Sequence, residues 1–206
     1  MTTASPAIRV YRHPLSGHAH RVELFLSLLG LPYEPVDVDL RAGEHKTPEF
    51  LARNPFGQVP VLEDGDVTLA DSNAILVYLA SRYDSSGRWY PRDPLTAGRI
   101  QQWLSVAAGQ LAYGPATARR IKLLGAPLDY EQARATSTEL FTLLDRHLAA
   151  RPFLVGDAPT IADLAMYSYT AVAPEGGIAL DAYENIRAWL ARVEGLQGFL
   201  PMTRAG

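Results

Sequence analysis

Cysteine is absent from the 206-residue sequence. A chain without a thiol forms no disulfide, offers no thiolate to a metal ion and cannot use a cysteine as its nucleophile. The composition therefore excludes disulfide scaffolds, cysteine-ligated metal sites and cysteine-based catalysis before any motif is considered.

Long apolar runs and clusters of basic residues are also missing. No stretch reaches the roughly 18 consecutive apolar residues of a membrane-spanning helix, and the opening MTTASPAIRV lacks the apolar centre of a secretion signal. The net charge is −3 without a basic run, which disfavours binding to nucleic acid or to a membrane surface. With 48% hydrophobic and 20% charged residues, we expect a cytoplasmic globular protein of one large domain or two small ones.

The first part of the chain alternates between strand spacing and helix spacing. The predicted elements are, in chain order, a strand at 8–10, a helix at 22–29, a strand at 36–40, a short helix at 48–53, a hairpin around Asp64-Gly65 and a helix ending near Tyr83. Strand, helix and strand at the start predict a right-handed parallel unit. The expected order is therefore βαβ-α-ββα.

The turn-forming stretch DSSGRWYPRDP, residues 84–94, marks a change of composition. Strand spacing stops there. Four helices are predicted beyond it from apolar residues at helical spacing: Ile100, Trp103, Leu104 and Leu111; Leu140, Leu144 and Leu148; Ile161, Leu164 and Ala165; and Ile186, Trp189, Leu190 and Val193. We therefore expect an α/β domain at 1–83, a linker at 84–91 and an all-α domain at 92–206.

The stretch HPLSGHAHRV, residues 13–22, places one serine and three histidines where the first strand meets the first helix. Ser16 suits a helix N-cap. A serine hydrolase needs a sharp G-x-S-x-G elbow with a base and an acid, and no glycine stands two places before Ser16. A metal site needs converging ligands, but His18 and His20 would diverge on a helix, and His13 lies on the strand side. Both chemistries are disfavoured, while either helical histidine could still line a pocket.

The order βαβ then ββα, with Pro60 before the third strand in GQVPVL, is that of a thioredoxin-like domain. At this point the chain resembles the cytosolic glutathione S-transferases almost from end to end. NPFGQVPVLEDGDVTLADSNAILVYLA, residues 54–80, resembles their glutathione-binding segment, and GEHKTPEFLARNPFGQVP is most similar to the phi and theta classes. TIADLAMY, residues 160–167, resembles their helical capping box, formed here by Thr160 and Asp163. The implied fold is a thioredoxin-like α/β domain followed by an all-α domain.

The resemblance places Ser16 at the position of the active serine of the phi and zeta classes. Its hydroxyl would then donate a hydrogen bond to the sulfur of glutathione, and the helix N-terminus would add partial positive charge. Both favour the thiolate, which is the nucleophile. A thioredoxin-like redox enzyme carries a cysteine at this junction, so in this chain the sulfur must arrive with the substrate.

The same resemblance implies contacts for the γ-glutamyl and cysteinyl parts of glutathione. Asp71 and Ser72, ahead of the third helix, would hold the γ-glutamyl group, although the family more often has Glu-Ser there. Val59, followed by a cis-Pro60, would offer its backbone to the cysteinyl unit as an added strand does. Taken without the resemblance, Asp71-Ser72 is an ordinary N-cap.

Further glutathione contacts are implied in two neighbouring segments. Gln58 matches the family's side-chain contact just before Val59. His45 and Lys46 match the phi-class pair that holds the glycine carboxylate. Without the resemblance, GEHK is a solvated loop.

The second substrate implied by the resemblance is a hydrophobic electrophile that lies over the sulfur and against the helical domain. The candidate residues for its pocket are His18, Tyr113 and Arg119. Phe56 is an apolar loop residue, which either fills the core or inserts between helices of a second subunit, as the equivalent aromatic does in some relatives. The resemblance thus implies a homodimer that acts in detoxification, with glutathione as co-substrate and without a metal.

Two other functions fit parts of the pattern. A glutathione-dependent isomerase or dehalogenase related to the zeta class would share Ser16, but the double-serine-cysteine motif of that class is replaced here by SGHA. A transferase fold used as a protein-interaction module typically loses its glutathione contacts, which this chain nearly all retains. The helical part carries no signature of class or of electrophile, so neither follows from the sequence.

Overall fold

A four-stranded mixed sheet forms the first part of the chain. The computed structural model describes residues 8–205, and within them the strands lie in the order β2-β1-β3-β4. They are β1 (Ile8–Arg12), β2 (Tyr33–Asp37), β3 (Val61–Asp64) and β4 (Val67–Ala70). β1 and β2 are parallel, whereas β3 is antiparallel to both β1 and β4. The predicted parallel unit and the predicted hairpin are thus confirmed.

Helices cover this sheet in the order expected of a thioredoxin-like domain. They are α1 (Gly17–Leu28), α2 (Pro48–Arg53) and α3 (Ser72–Tyr83). α1 connects the two parallel strands and α3 follows the last strand, so the observed order is βαβ-α-ββα. The Val59-Pro60 peptide bond is cis, as the family resemblance implied.

The second strand lies earlier in the chain than its apolar pattern predicted. β2 pairs with β1 over Tyr33–Asp37. Val38 donates its N–H to the Arg12 carbonyl at 2.8 Å, and its side chain is buried with Phe50 in a small apolar cluster. The alternation at 36–40 therefore reflects burial in that cluster as much as strand geometry, and the predicted strand bounds were wrong.

The remaining part of the chain is helical. Its helices within the described residues are α4 (Pro94–Ala108), α5 (Thr117–Leu124), α6 (Tyr130–Leu148), α7 (Ile161–Ala171) and α8 (Glu184–Glu194). The sequence predicted four of them and missed α5, because TARRIKLL carries three cations in eight residues and follows a π-helical segment containing Pro115. Leu111 lies after the end of α4, not on its apolar face. No helix within 8–205 is both long and apolar enough to cross a bilayer.

One continuous core joins the sheet to the helical part. α7 is buried along its whole length and packs against α1, α3 and α4. Trp89, between α3 and α4, is also buried, with its ring centroid 5.3 Å from that of Phe25. The predicted capping box of Thr160 and Asp163 is present at the start of α7. Buried side chains on both sides therefore hold the helical part in a defined orientation against α1.

Candidate functional site

Three chain segments meet at one edge of the sheet. Tyr11 in β1 pairs with Val61 in β3, and Val61 pairs in turn with Ala70 in β4. The next residues outward along these strands are Arg12, Pro60 and Asp71. Because β1 and β4 both point toward this edge, α1 and α3 both begin there. Two helix N-termini, each with partial positive charge, therefore share one edge with the loop that leads into β3.

Ser16 is the residue immediately before α1, and it caps that helix. Its Oγ accepts a hydrogen bond from Ala19 N at 3.2 Å, and its own N–H donates to the His13 carbonyl at 2.8 Å. The side chain is half-buried. The cap uses the hydroxyl oxygen and not its hydrogen, so Ser16 can cap α1 and still donate a hydrogen bond to a ligand.

The turn into α3 is strained at Asp71. Its φ of 70° is positive, which is uncommon for a residue other than glycine and costs roughly 1–3 kcal/mol. Its carboxylate accepts hydrogen bonds from Asn73 N and Ala74 N, each at 2.9 Å. These bonds hold Asp71 in its conformation, and residues strained in this way concentrate at functional sites.

Ser72, the first residue of α3, lies against a fully buried arginine. Arg21 on α1 donates from Nη1 to Ser72 Oγ at 3.3 Å and to Asn73 Oδ1 at 2.9 Å. Burial lowers the pKa of Arg21 to about 10, so the guanidinium stays charged at neutral pH. A buried cation beside two helix N-termini makes this edge of the sheet electrostatically suited to an anion.

His20 and His13 form hydrogen bonds to other residues of the protein through their ring nitrogens. His20 is buried, with Nδ1 2.9 Å from Ser168 Oγ and Nε2 2.9 Å from the Leu200 carbonyl. His13 Nδ1 accepts a hydrogen bond from Leu15 N at 3.3 Å. Burial lowers the pKa of His20 to about 4, so it is neutral at physiological pH. Among residues 8–205 no group of three or more candidate ligands is placed to hold a metal ion.

His18 is the histidine that faces the start of α3. Its Nδ1 lies 3.5 Å from Ser72 Oγ, and its ring stands edge-on to Tyr169 with centroids 5.0 Å apart. Burial, together with the charges of Arg21 and Arg120, lowers the pKa of His18 to about 3. His18 is therefore a neutral polar group at this edge and not a cation.

The loop before β3 is held by Asn54 and Lys46. Asn54 is buried and donates from Nδ2 to the Gln58 carbonyl at 2.8 Å. Lys46 donates from Nζ to the carbonyls of Phe56 and Gly57 at 3.3 and 3.2 Å. The structure therefore brings Lys46 against the same loop that exposes the Gln58 side chain. The sequence analysis assigned no role to Asn54, because its contact depends on the folded shape of the loop.

His45 and Val59 lie close to this loop. His45 stands beside Lys46 on the 3₁₀ turn Glu44–Lys46, half-buried, and its Nδ1 contacts no hydrogen-bond partner within the described part of the chain. Val59 is half-buried and packs on the apolar cluster that includes Phe50. Both residues thus border the loop that leads into β3, with the His45 carbonyl oxygen 2.7 Å from the position that a Cβ on Gly57 would take.

The two helical-domain residues predicted to line a second-substrate pocket differ in burial: Tyr113 is exposed and Arg119 is buried. Tyr113 is 72% exposed in the π-helical segment. Arg119 is 4% exposed, and its guanidinium is bound to the Leu15 carbonyl, so it does not line an open wall. Arg120 is exposed, and its charge acts on His18. Two adjacent arginines look alike in sequence, and which of them is buried follows only from how α5 packs.

A further residue near Ser16 went unnoticed in the sequence. A Cβ placed on Gly17 would lie 2.8–2.9 Å from the phenol end of the Tyr169 ring, which is closer than real Cβ atoms approach. Gly17 is therefore the residue that lets α7 pack directly on the start of α1. The only local sign of this contact was the glycine that follows Ser16. Tyr169, against which Gly17 packs, is remote in the chain and could not be identified from the sequence.

The fold and the site together define a class of protein. The chain has a thioredoxin-like domain with a serine where a redox enzyme has a cysteine, and a helical domain packed against it. The serine lies at an edge of the sheet that favours an anion. Such a protein receives any reacting sulfur from a bound molecule and not from its own side chains.

Comparison with known proteins agrees with this class. Residues 6–81 match the family model for the glutathione S-transferase N-terminal domain, and residues 111–197 match the model for the C-terminal domain. The chain is 34% identical over 203 residues to glutathione S-transferase 3 of Zea mays, covering 93% of this chain and 91% of that protein.

Solved structures extend the agreement to three dimensions. The crystal structure of a glutathione S-transferase from Pseudomonas fluorescens has a TM-score of 0.90 and 35% identity, covering 96% of this chain and 99% of that chain. A glutathione transferase homolog from Drosophila mojavensis, solved with bound glutathione, has a TM-score of 0.83 and 28% identity, covering 92% and 88%. The chain belongs to the glutathione S-transferase family.

Proposed function

We propose that this chain is a glutathione transferase that joins the thiolate of glutathione to an electrophilic carbon of a hydrophobic small molecule. Family membership supports the transferase activity. One observation supports the mechanism above the others: Ser16 lies at the N-terminus of α1, on the same sheet edge as the N-terminus of α3. A thiolate is favoured by a hydrogen-bond donor and by positive potential, and this edge offers both.

In this proposal Ser16 stabilises the sulfur anion without attacking the substrate. The thiol of glutathione releases its proton to solvent, and the Ser16 hydroxyl donates a hydrogen bond to the resulting thiolate. A sulfur lone pair then forms a C–S bond to the electrophile, while the bond to the leaving group breaks and its electron pair departs with that group. A free thiol has a pKa near about 8.5, and each unit by which the site lowers it corresponds to about 1.4 kcal/mol.

The start of α3 suits the γ-glutamyl end of glutathione. The carboxylate would accept hydrogen bonds from Ser72 and from the N–H groups of the first turn. Asp71 is exposed at the same point, where its carboxylate can pair with the ammonium group. Arg21 lies behind Ser72, within 3.3 Å of its Oγ, and adds a buried positive charge next to the bound carboxylate.

The loop before β3 suits the rest of the tripeptide. Val59 would pair through its backbone with the cysteinyl unit, with Pro60 after it and Gln58 alongside. Lys46 has a third N–H donor beyond the two that bind the loop carbonyls, so it can also reach the glycine carboxylate. His45 stands next to it as a second polar contact.

In this arrangement each domain binds a different substrate. We assign glutathione binding to residues 1–83, the connection to 84–91, and the electrophile-binding side to the all-α domain at 92–206. The electrophile would lie over the sulfur, between His18 and the helical residues Tyr113 and Arg120. A neutral imidazole and an exposed aromatic ring favour a hydrophobic molecule at this position.

We further propose that the active form is a cytoplasmic homodimer that acts in detoxification. Phe56 is 79% exposed at the tip of the loop before β3, and the family resemblance places an aromatic at this position between helices of a second subunit. A second copy of the chain is the natural partner, because most soluble oligomers are symmetric dimers. The cytoplasm is the compartment in which glutathione keeps thiols reduced.

The two alternative functions have less support. The relatives and solved structures named above carry transferase names, and SGHA still departs from the zeta-class motif that an isomerase or dehalogenase would suggest. A protein that serves only as an interaction module has no need of an anion-favouring sheet edge beside the serine that caps α1.

Three measurements test the proposed function. The protein should be retained on immobilised glutathione, and millimolar glutathione should raise its melting temperature, because a ligand that prefers the folded state stabilises it. A panel of electrophiles should be consumed only with glutathione present, with one thioether formed for each glutathione lost. Lack of retention together with an unchanged melting temperature would favour the interaction module. Turnover without loss of glutathione would favour the isomerase.

A further inference from the structure

Arg119 crosses from the helical domain to the loop that carries Ser16. It lies on α5, is buried, and donates from Nη1 to the Leu15 carbonyl oxygen at 2.6 Å. Leu15 immediately precedes Ser16. This bond therefore connects the electrophile-binding domain to the residue next to the proposed thiolate donor.

Glu175 holds the guanidinium in place from the other side. Arg119 Nε lies 2.7 Å from Glu175 Oε2, with side-chain exposures of 5% and 13%. Glu175 belongs to the 3₁₀ turn Ala173–Gly176, and a Cβ on Gly176 would lie 2.7 Å from Arg119 N, so this turn packs directly on α5. The ion pair is thus enclosed, and its geometry is set by packing on both sides.

The bond to Leu15 acts on Ser16 through a rigid group. The Leu15 carbonyl and the Ser16 N–H belong to one peptide unit, which is planar. Arg119 holds the oxygen of that unit, and the His13 carbonyl holds its N–H at 2.8 Å. With both ends bound, the orientation of the peptide plane is fixed. The Ser16 carbonyl on the other side accepts a hydrogen bond from His20 N at 2.9 Å, so rotation about the Ser16 N–Cα bond is also restricted, and with it the direction in which the side chain leaves the backbone.

We infer that Arg119 is a positioning residue for Ser16: from the helical domain, the Arg119–Glu175 pair fixes the Leu15–Ser16 peptide so that the serine hydroxyl points at the glutathione sulfur. The inference rests on the proposed function. Arg119 is separate from the electrophile and from glutathione in this account. Its charge is balanced by Glu175, so it acts through geometry and not mainly through its electric field.

The test is a titration of bound glutathione in two backgrounds. The ultraviolet absorbance of the thiolate is followed against pH for Arg119→Met and Arg119→Lys, each with Ser16 present and with Ser16→Ala. With Ser16 present, Arg119→Met should raise the pKa of the bound thiol and lower kcat/KM near neutral pH about tenfold, the effect of weakening one hydrogen bond to a charged group. KM for glutathione should stay within about threefold, because the groups that bind its carboxylates are unchanged. Arg119→Lys should recover part of the loss.

The Ser16→Ala background separates positioning from other effects. If Arg119 acts through Ser16, Arg119→Met should add no further pKa shift once the hydroxyl is gone. An equal shift in both backgrounds would mean a direct field effect and would overturn the inference, as would an unchanged titration with Ser16 present. If the wild-type protein neither binds glutathione nor lowers the pKa of its thiol, the proposed function is contradicted, and this inference fails with it.

Matched variants guard against a loss of folding. Arg192 donates from Nε to the Pro152 carbonyl at 2.8 Å within the helical domain, so Arg192→Met removes a comparable bond far along the chain from Ser16 and should leave the thiol titration unchanged. If Arg119→Met does not fold, Glu175→Gln keeps the arginine but weakens its anchor, and should raise the thiol pKa by a smaller amount. An unchanged titration in both Glu175→Gln and Arg119→Lys would overturn the inference.

Discussion

His20 is a buried residue that links α1 to the helical domain through both ring nitrogens. Its pKa is lowered from 6.5 to about 4 by burial, so the folded protein resists a proton that the unfolded chain accepts. Between about pH 6.5 and pH 4 the unfolded state binds more protons, and the stability of the fold decreases as the pH falls. This effect amounts to roughly 3 kcal/mol by pH 4. His18, with a pKa of about 3, acts in the same direction.

Replacing His20 with glutamine should flatten this pH dependence. Between pH 7 and pH 5 the wild type should lose about 2 kcal/mol of unfolding free energy more than His20→Gln does, measured by urea denaturation at each pH. Ser168→Ala is the control, because it removes a hydrogen-bond partner but keeps the buried imidazole. It should lower stability at both pH values and retain the steep wild-type dependence. An equally steep dependence in His20→Gln would contradict the account of His20 as a buried neutral base.

At the residue scale, the sequence predicts features that depend on neighbours in the chain. Ser16 was predicted as a cap because a cap needs only the next few residues, and the structure has that cap. Arg119 was predicted as a pocket residue, but its partner Leu15 is 104 positions away. No local sequence pattern predicts a contact over such a distance. Whether a charged side chain is buried is therefore known only from the folded structure. The roles of the glutathione-binding residues stay predictions from the family resemblance.

At the scale of elements, the contact between α1 and α7 determines where Ser16 lies. Gly17→Ala should force α1 away from Tyr169, because the added methyl would lie 2.8–2.9 Å from the ring. We expect a loss of about 1–3 kcal/mol of unfolding free energy, measured by urea denaturation. Gly98→Ala in α4 is the control, since nothing lies within 4 Å of its added Cβ. It should stabilise the protein by up to about 1 kcal/mol.

The double variant checks the cause of the Gly17→Ala effect. Tyr169→Leu replaces the crowding ring with a smaller side chain. The double variant Gly17→Ala/Tyr169→Leu should therefore lose less unfolding free energy than the two single variants lose when their losses are added. Strict additivity would contradict a direct clash between Gly17 and Tyr169.

The sequence misjudged two elements, a strand that was shifted and a helix that was missed. In both, the pattern of buried residues does not follow the spacing of apolar residues in the sequence. The strand predicted at 36–40 is β2 at Tyr33–Asp37, since pairing with β1 decides its bounds and Val38 is buried outside it. α5 was missed because it is a charged helix stabilised where it packs on the 3₁₀ turn at Ala173–Gly176. α3, in contrast, has a cap and a regular apolar face, and its predicted end at Tyr83 is the observed one.

At the scale of the whole molecule, the proposed dimer depends on a side chain that the single chain leaves exposed. Phe56 is 79% exposed, so Phe56→Asp should leave the monomer fold intact and weaken association. Size-exclusion chromatography with light scattering should give a dimer for the wild type and a shift toward monomer for Phe56→Asp. Leu128→Asp is the control, because Leu128 is also exposed but lies in the loop before α6. It should stay dimeric, and a Phe56→Asp protein that is equally dimeric would contradict the role of Phe56.

The relation between the two domains could be predicted only in outline. The change of spacing after Tyr83 indicated where strands give way to helices, but not that Trp89 and α7 would bury themselves against α1. That packing brings Arg119 to the Ser16 loop. The site therefore depends on both domains, although each glutathione contact implied by the sequence lies in the first.

The central claim is that the Ser16 hydroxyl stabilises the thiolate of bound glutathione. The most direct measurement is the ultraviolet absorbance of that thiolate against pH, with wild type and Ser16→Ala compared at saturating glutathione. Ser16→Ala should raise the pKa of the bound thiol and lower kcat/KM near neutral pH about tenfold to a hundredfold, since a hydrogen bond to a charged group contributes about 1.5–3 kcal/mol. Glutathione affinity should change only a few-fold, and activity should partly recover at high pH. Coinciding titration curves with unchanged turnover would contradict the claim and leave Ser16 as a helix cap alone.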